Sequence, residues 1–338
     1  MTHANFPSFD DLPLVKDGPP GNAWGLFGSQ DELGMLNLLT ERVVAEAAQE
    51  IKDGKRFHLD WSMDMPSSPA FGRQQFQHHL LHSDEPTFMN DDTLTFNTQS
   101  STQWDGFRHY AYQRSRLFYN GHRQEEFQTS PILGIDRKFC GPHSITLLTL
   151  AGWVKKGGII GRGVLLDWAS WAAANGIAIT PFESAPIKLE HLVSIVAEQD
   201  IKFKTGDILF VRCGYADAYS RLSPQEREEF PRRKPGGMLG LEATKDSLRW
   251  LWENRFSAVA GDSPSFERGS VLGSYNDPDV TVHQWLLAGW GMPIGEMFNL
   301  EGVSAHCRKT GRYSFFVSSV PIHVPGGVAS PPNAVAIF

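Results

Sequence analysis

The feature that most constrains this chain is its punctuation. Over 338 residues it carries 32 glycines and 21 prolines. Glycine raises the entropic cost of ordering the backbone, and proline removes a donor and blocks the preceding turn, so both interrupt regular elements. The composition points to many short elements joined by turns rather than to a helical bundle. Between the breakers lie compact apolar runs of strand length, Val164 to Asp167, Ile208 to Arg212 and Ala258 to Ala260. Each ends near a polar residue or glycine: Asp167, Gly214 and Gly261-Asp262. Tyr313 to Val324 is a longer run rich in Phe and Val. Helical spacing appears from Thr40 to Ile51 (Val43, Val44, Ala47, Ala48, Ile51), with Asp53-Gly54 as the stop. It recurs from Lys188 to Gln199 and in a third helix predicted to open at Gly240-Leu241, with Leu248, Leu251 and Trp252 on one face. Strands alternating with helices predict a β-rich α/β protein.

Hydrophobic residues make up 41%, enough for a substantial core, and the formal charge is −7. Lys and Arg are scattered, so no segment could track a phosphate backbone and nucleic acid is excluded as a partner. Met1 to Pro20 lacks a basic patch leading into an apolar stretch and does not read as a signal peptide. The apolar segments from Ile159 onward are broken by Arg162, Asp167 and Asn175, so no membrane span is expected. Cys140, Cys213 and Cys307 are widely spaced, which argues against a disulfide framework and a Cys-based zinc site. The expected compartment is a reducing cytoplasm. No repeat or Gly/Ser linker divides the chain; residues 1–20 read as an N-terminal extension and 21–338 as one catalytic domain.

No P-loop, dinucleotide-binding glycine motif or His-Glu-x-x-His is present. Gly261-Asp262-Ser263-Pro264-Ser265 comes near a nucleophile elbow but lacks the closing glycine, and Pro264 would remove the N–H an elbow donates to the oxyanion.

Two segments carry the candidate chemistry. The first runs from Asn97 to His109 and is dense in side-chain oxygens. If it is extended, Gln99, Gln103, Asp105 and His109 fall at even offsets and share a face. The alternative is a polar strand edge turning at Gly106. The second runs from His283, which begins a short apolar helix, to Glu296 after a Gly/Pro-rich turn. A carboxylate this close to Met, Ile and Phe requires a partner if buried, such as a metal or another cation; a surface Glu and a capping His are the alternative. His78 and His82, one helical turn apart if helical, form a weaker pair with no third ligand beside them, more readily a solvated loop or lid. His323 reads as a core or edge-strand residue, and His58 and His122 as surface residues.

These residues, in this order, resemble the metal-dependent cyclase superfamily, which includes kynurenine formamidases, isatin hydrolases and a dienelactone hydrolase. The family hallmark is His-x-Gly-Thr-His-x-Asp-x-Pro-x-His, followed far downstream by a His and, about a dozen residues later, a Glu. Thr102, Asp105 and His109 sit at the hallmark's Thr, Asp and last His, and His283 and Glu296 match the downstream pair. The likeness extends to Trp24-Gly25, Asp31, Gly34 and Asn37 to Thr40, to Gly206 to Arg212, to Gly261-Asp262-Ser263 and to Pro331 to Ala334. The hallmark's first two histidines, both metal ligands in the family, are Gln99 and Gln103 here, and its Gly and Pro are Ser101 and Phe107.

The resemblance implies a swivelling β/β/α single domain, commonly a homodimer or larger assembly. It implies hydrolysis of a carbonyl–heteroatom bond in a cyclic or aryl amide or a lactone, or the reverse ring closure, on a small-molecule substrate. His109 would be the general acid/base. Asp105, His283 and Glu296 would hold a divalent metal, with Gln99 and Gln103 as weak ligands. Glutamine offers only a neutral carbonyl oxygen, so this set should favour manganese or magnesium over zinc, or bind zinc poorly through Asp105, His283 and Glu296 alone. Trp104, Phe107 and Trp285 are candidates to line a flat apolar substrate, and Asp262 and Ser263 to orient the ligands from behind. Two rivals stand beside this reading: a metal-independent cyclase, dehydratase or lyase using His109 with Asp105 or Glu296, and a non-catalytic small-molecule binder.

Overall fold

A computed structural model describes residues 6–130, 132–135, 152–232, 237–269 and 279–338; Cys140 lies outside them. The strands in chain order are β1 (Arg56–His58), β2 (Gln77–Ser83), β3 (Met89–Thr95), β4 (Gln103–Asp105), β5 (Ile159–Leu166), β6 (Pro186–Ile187), β7 (Ile208–Val211), β8 (Gly240–Leu241), β9 (Ala258–Gly261), β10 (Ile294–Glu296), β11 (Ser314–Ser319), β12 (Ala329–Ser330) and β13 (Ala334–Ile337). Nine of them form one sheet in the order β1-β13-β11-β5-β7-β9-β10-β4-β12. Strands β5, β7, β9 and β10 run parallel at its centre, and antiparallel strands extend it on both sides. This is the swivelling β/β/α arrangement of one domain expected from the sequence. The three compact apolar runs became β5, β7 and β9, and every residue of β7 and β9 is buried. Full burial on both faces explains why they read as unbroken apolar runs.

Two predicted helices form as expected. Helix α1 (Glu41–Ala47) starts where the Thr40 side chain accepts from the Val43 N–H. Among the later helices, Leu189–Glu198 buries Leu192 and Ile195. The third expectation is corrected at its start. Gly240-Leu241 is strand β8, and the helix runs from Lys245 to Glu253 because Thr244, not Gly240, supplies the capping oxygen, to the Ser247 N–H. The long run from Tyr313 yields a strand only as far as Ser319, and His323 beyond it is exposed rather than in the core. His58 is exposed, whereas the His122 ring is largely covered and bonds Glu126 at 2.8 Å.

From Phe6 the N-terminal segment lies across the Lys245–Glu253 helix. Pro7 accepts from the Trp252 indole N–H, the Phe9 N–H donates to Glu253, and Asp10 pairs with both terminal nitrogens of Arg249. No described helix is long and apolar enough to cross a membrane.

Candidate metal and catalytic centre

The site forms where β10 lies between β9 and β4. The antiparallel register sets Glu296 opposite Gln103, Gly295 opposite Trp104 and Ile294 opposite Asp105. Directly opposed residues share a face of the sheet, so the Gln103 and Glu296 side chains emerge together. The Gln103 Nε2 donates to Glu296 Oε2 at 2.8 Å. The other face needs Gly295, because a Cβ there would lie 2.6 Å from the Phe298 ring and 2.8 Å from the Trp104 ring.

The segment from Asn97 to His109 is strand only over Gln103–Asp105. The four polar residues nonetheless converge, through two turns rather than one extended run. Ser100 N–H bonds Asn97 O before the strand, and His109 N–H bonds Gly106 O at 2.9 Å after it. Both turns fold back toward Asp105. The Gln99 Nε2 donates to Asp105 Oδ1 at 2.6 Å and lies 3.1 Å from His109 Nδ1. Thr102 fastens the strand from behind: its hydroxyl donates to the Met297 carbonyl and accepts from the Trp61 N–H.

From the far end of the chain, His283 enters as the residue before a π-helical segment, Gln284–Trp290. Such wide turns are rare and recur at functional sites. The His283 Nε2 lies 3.2 Å from Glu296 Oε1, and the His283 and His109 ring centres are 6.2 Å apart. Donor atoms of Asp105, His109 and His283 all fall within 4.8 Å of one another. Residues from the first third and the last fifth of the sequence thus meet in one buried cluster.

Its electrostatics follow from burial. Burial pushes Glu296 up to about 7, and the nearby Asp105 charge adds to the shift against the opposing pull of His283 and Arg73. Burial pulls His283 down, but Glu267 and Glu296 outweigh it and hold the ring well above its ordinary value. Burial lowers His109, Asp105 opposes this, and the charges of His283 and Arg73 reinforce it, so the ring is held neutral near pH 7.

The donor set fits a divalent cation. Asp105 Oδ2 and Gln103 Oε1 are buried with no hydrogen-bond donor, and two buried carboxylates sit within reach of each other's charge. Acceptors left without donors in a dry setting are costly, and a cation satisfies several at once.

Three residues of the site escaped sequence reasoning. Glu267, fully buried, accepts the His283 backbone N–H at 2.8 Å, and its Oε2 lies 3.1 Å from His283 Nδ1. It follows the polar Asp262-Ser263-Pro264-Ser265 turn after β9, where one more charged residue gives no signal of its own. Tyr110 sets its ring 5.5 Å from His283 and buries an unpartnered hydroxyl, pushed up to about 12 by burial and by Glu267. Arg73 donates to the Gln99 carbonyl at 2.7 Å.

Other expectations are corrected. Trp104 alternates with Gln103 and Asp105 and therefore faces the opposite side, where it packs on Phe298 and bonds Ser319. Phe107 is fully buried between Tyr119 and Trp153. Trp285 stacks on Phe9 and gives its N–H to the Asp279 carbonyl. None of the three lines the cluster. Asp262 does not brace the ligands either; it accepts the N–H groups of Cys213, Gly214 and Tyr215 and so fixes the turn after β7. Ser263 keeps a buried hydroxyl with no partner, while its carbonyl accepts from Met297 after β10. His78 and His82 lie on strand β2 rather than a helix, and His78 pairs with Asp92.

A single α/β domain with paired carboxylates and histidines where the sheet's central strands end is the frame of a hydrolase or cyclase. The Cyclase family model matches residues 46–268, two thirds of the sequence, and the chain belongs to that family. The match holds the Gln99 to His109 segment; His283 and Glu296 lie beyond it. Among solved structures, one described as a novel cyclase is 29% identical, with a TM-score of 0.77 over 94% of this chain and 99% of that one. Isatin hydrolase A from Labrenzia aggregata shares the fold at 14% identity, with a TM-score of 0.56 over 89% of this chain and 98% of its own. The enzyme of that name from Ralstonia solanacearum does so at 13% identity and 0.55, over 88% and 96%. No protein of curated function matches the sequence.

Proposed function

We propose that this chain is a metal-dependent hydrolase, or the corresponding ring-closing cyclase, acting on the carbonyl–heteroatom bond of a cyclic or aryl amide or a lactone. The observation that carries this reading is the convergence of Asp105, His109 and His283 donor atoms within 4.8 Å beside Glu296, with Asp105 Oδ2 left unsatisfied. Structures of the same fold bear the name isatin hydrolase, and one is bound to the product analogue thioisatinate.

Asp105, His283 and Glu296 would hold the metal, with Gln103 Oε1 as a neutral oxygen beside them. The oxygen-rich set favours manganese or magnesium over zinc. When bound, a divalent cation supplies Lewis acidity and lowers the pKa of water. His109, kept neutral by burial, takes a proton from the attacking water as its oxygen bonds to the carbonyl carbon. It returns that proton to the departing nitrogen or oxygen as the carbon–heteroatom bond breaks, leaving an amine or alcohol and a carboxylic acid, which releases water's second proton to solvent to become the carboxylate. Glu267 fixes the orientation of His283 through its backbone and ring.

A specific observation favours the metal-free reading as the second choice. Both glutamine amides donate to the carboxylates, at 2.6 Å to Asp105 and 2.8 Å to Glu296, so each carboxylate already has a neutral donor. One experiment separates the two. The purified protein is assayed on aryl formamides, cyclic aryl amides and lactones, with metal content measured before and after chelation. Activity should vanish with the metal and return on adding manganese; turnover that survives complete metal removal excludes the first reading.

A further inference from the structure

Arg73 brings a guanidinium to the candidate site and leaves most of its donors unused. It follows a tight turn, Ala70–Gly72, in which Phe71 (φ 60°) and Gly72 (φ 67°) both adopt the left-handed conformation. That conformation is unfavourable for phenylalanine, and such strain gathers at sites that clamp a ligand. The turn brings Arg73 to the segment that carries the reacting groups. Its Nη1 donates to the Gln99 carbonyl at 2.7 Å, and the Gln99 side chain in turn contacts Asp105 and His109. Its positive charge lowers both Glu296 and His109, so its field reaches across the cluster.

The Arg73 side chain is partly withdrawn from water, yet no carboxylate among the described residues pairs with it. Elsewhere in the chain such arginines fill their forks. Arg162 pairs with Asp207 at 2.6 Å, Arg212 pairs with Asp167 and Glu301 at 2.8 Å each, and Arg108 gives its nitrogens to the carbonyls of Ile132, Gly326 and Ser130. The Phe71 ring lies 4.9 Å from the Arg73 guanidinium carbon. Such a contact engages the flat face of the guanidinium and leaves its N–H edge free. That edge matches a carboxylate, and an unpaired charge withdrawn from water is relieved by an incoming anion. The buried carboxylates of Asp105, Glu296 and Glu267 repel negative charge, so a singly charged carboxylate is favoured over a doubly charged phosphate. Phe71, 63% exposed, adds an aromatic surface at the same place.

We infer that Arg73 is a specificity-determining residue that receives a carboxylate of the substrate, so that the substrates are aryl or cyclic amides or lactones bearing a carboxylate apart from the scissile bond. The inference rests on the hydrolase reading for the bond that is cleaved, but not for the anion site. It is tested on the full chain, with metal content measured in every preparation. Turnover of the three formamidobenzoate isomers is compared with that of formanilide, the same aryl amide without the carboxylate. Water cleaves the formyl C–N bond in each, giving formate and the arylamine. In the wild type, kcat/KM for the best carboxylated isomer should exceed that for formanilide by about 10- to 100-fold. The preference should disappear in Arg73→Gln and be kept in part by Arg73→Lys, which retains the charge and loses the fork. Calorimetric titration with benzoate and benzamide reads the anion site without turnover: the wild type should favour benzoate, and Arg73→Gln should lose that preference at unchanged metal content. A wild type that does not favour the carboxylated ligand, or a preference that Arg73→Gln leaves unchanged, overturns the proposal. The first of these outcomes needs no variant and stands even where Arg73→Gln fails to fold. A benzoate preference without turnover of any amide keeps the anion site and removes the hydrolase reading, whereas formanilide turnover without a carboxylate preference does the reverse.

Discussion

The candidate site and the β2–β3 hairpin are adjacent in sequence and opposite in physics. Residues 100–107 are buried throughout, and each polar side chain of the cluster is held by a residue distant in the chain or across a turn. The hairpin ends at Thr95, a few residues earlier, and is held by its own ladder. In the first region, position is over-determined, so a small change in one group strands a buried partner. In the second, side chains face water, and sequence changes alter what the surface can bind more than whether the chain folds. A scaffold that must hold reacting groups needs the first kind of environment.

Substitutions can break this contrast. The largest effect is expected at the reacting group: His109→Ala should lower kcat by about 100- to 10,000-fold. Metal content measured alongside should stay constant; a parallel fall would assign His109 to the ligand set, which its place in the 4.8 Å cluster permits. Next comes the opposite face of the same strand. Trp104→Ala should cost about 3–5 kcal/mol of stability in urea unfolding, while an equal loss of activity in the folded variant would put Trp104 back at the site. Glu267→Ala should lower metal affinity or activity by about 10- to 100-fold, measured by titration of the chelated protein. Replacing Gln99 and Gln103 together with His should raise zinc retained after dialysis, because imidazoles replace neutral oxygens. Unchanged retention would show that the amides do not border the metal. The smallest change is expected on the hairpin, where Leu94→Ser should shift stability in urea unfolding by no more than about 0.5 kcal/mol.

How much of this was legible can be judged residue by residue. The order Thr102, Asp105, His109, His283, Glu296 was readable, because a shared site keeps residue types in sequence order even where spacing between them is long. The apolar runs at β5, β7 and β9 were readable because complete burial leaves a compositional signature. Trp104 was misplaced although the alternation rule already set it opposite Gln103 and Asp105; proximity in sequence was allowed to stand for proximity in space. Glu267 was not legible, since its contact with His283 spans sixteen positions and no periodicity links them. The hairpin went unread because its polar strands, rich in His and Asp, lack the apolar alternation that marks a half-buried strand.

The sequence by itself determined the fold class, the family resemblance and the identity of the groups able to do chemistry, because burial patterns and side-chain types are local properties of the chain. Only the tertiary structure decided that β10 lies between β9 and β4 with Glu296 opposite Gln103, which amide holds which carboxylate, and that Glu267 stands behind His283. Those facts depend on register and on contacts between distant segments, and a carboxylate's chemistry is set by neighbours within a few ångströms rather than by neighbours in sequence.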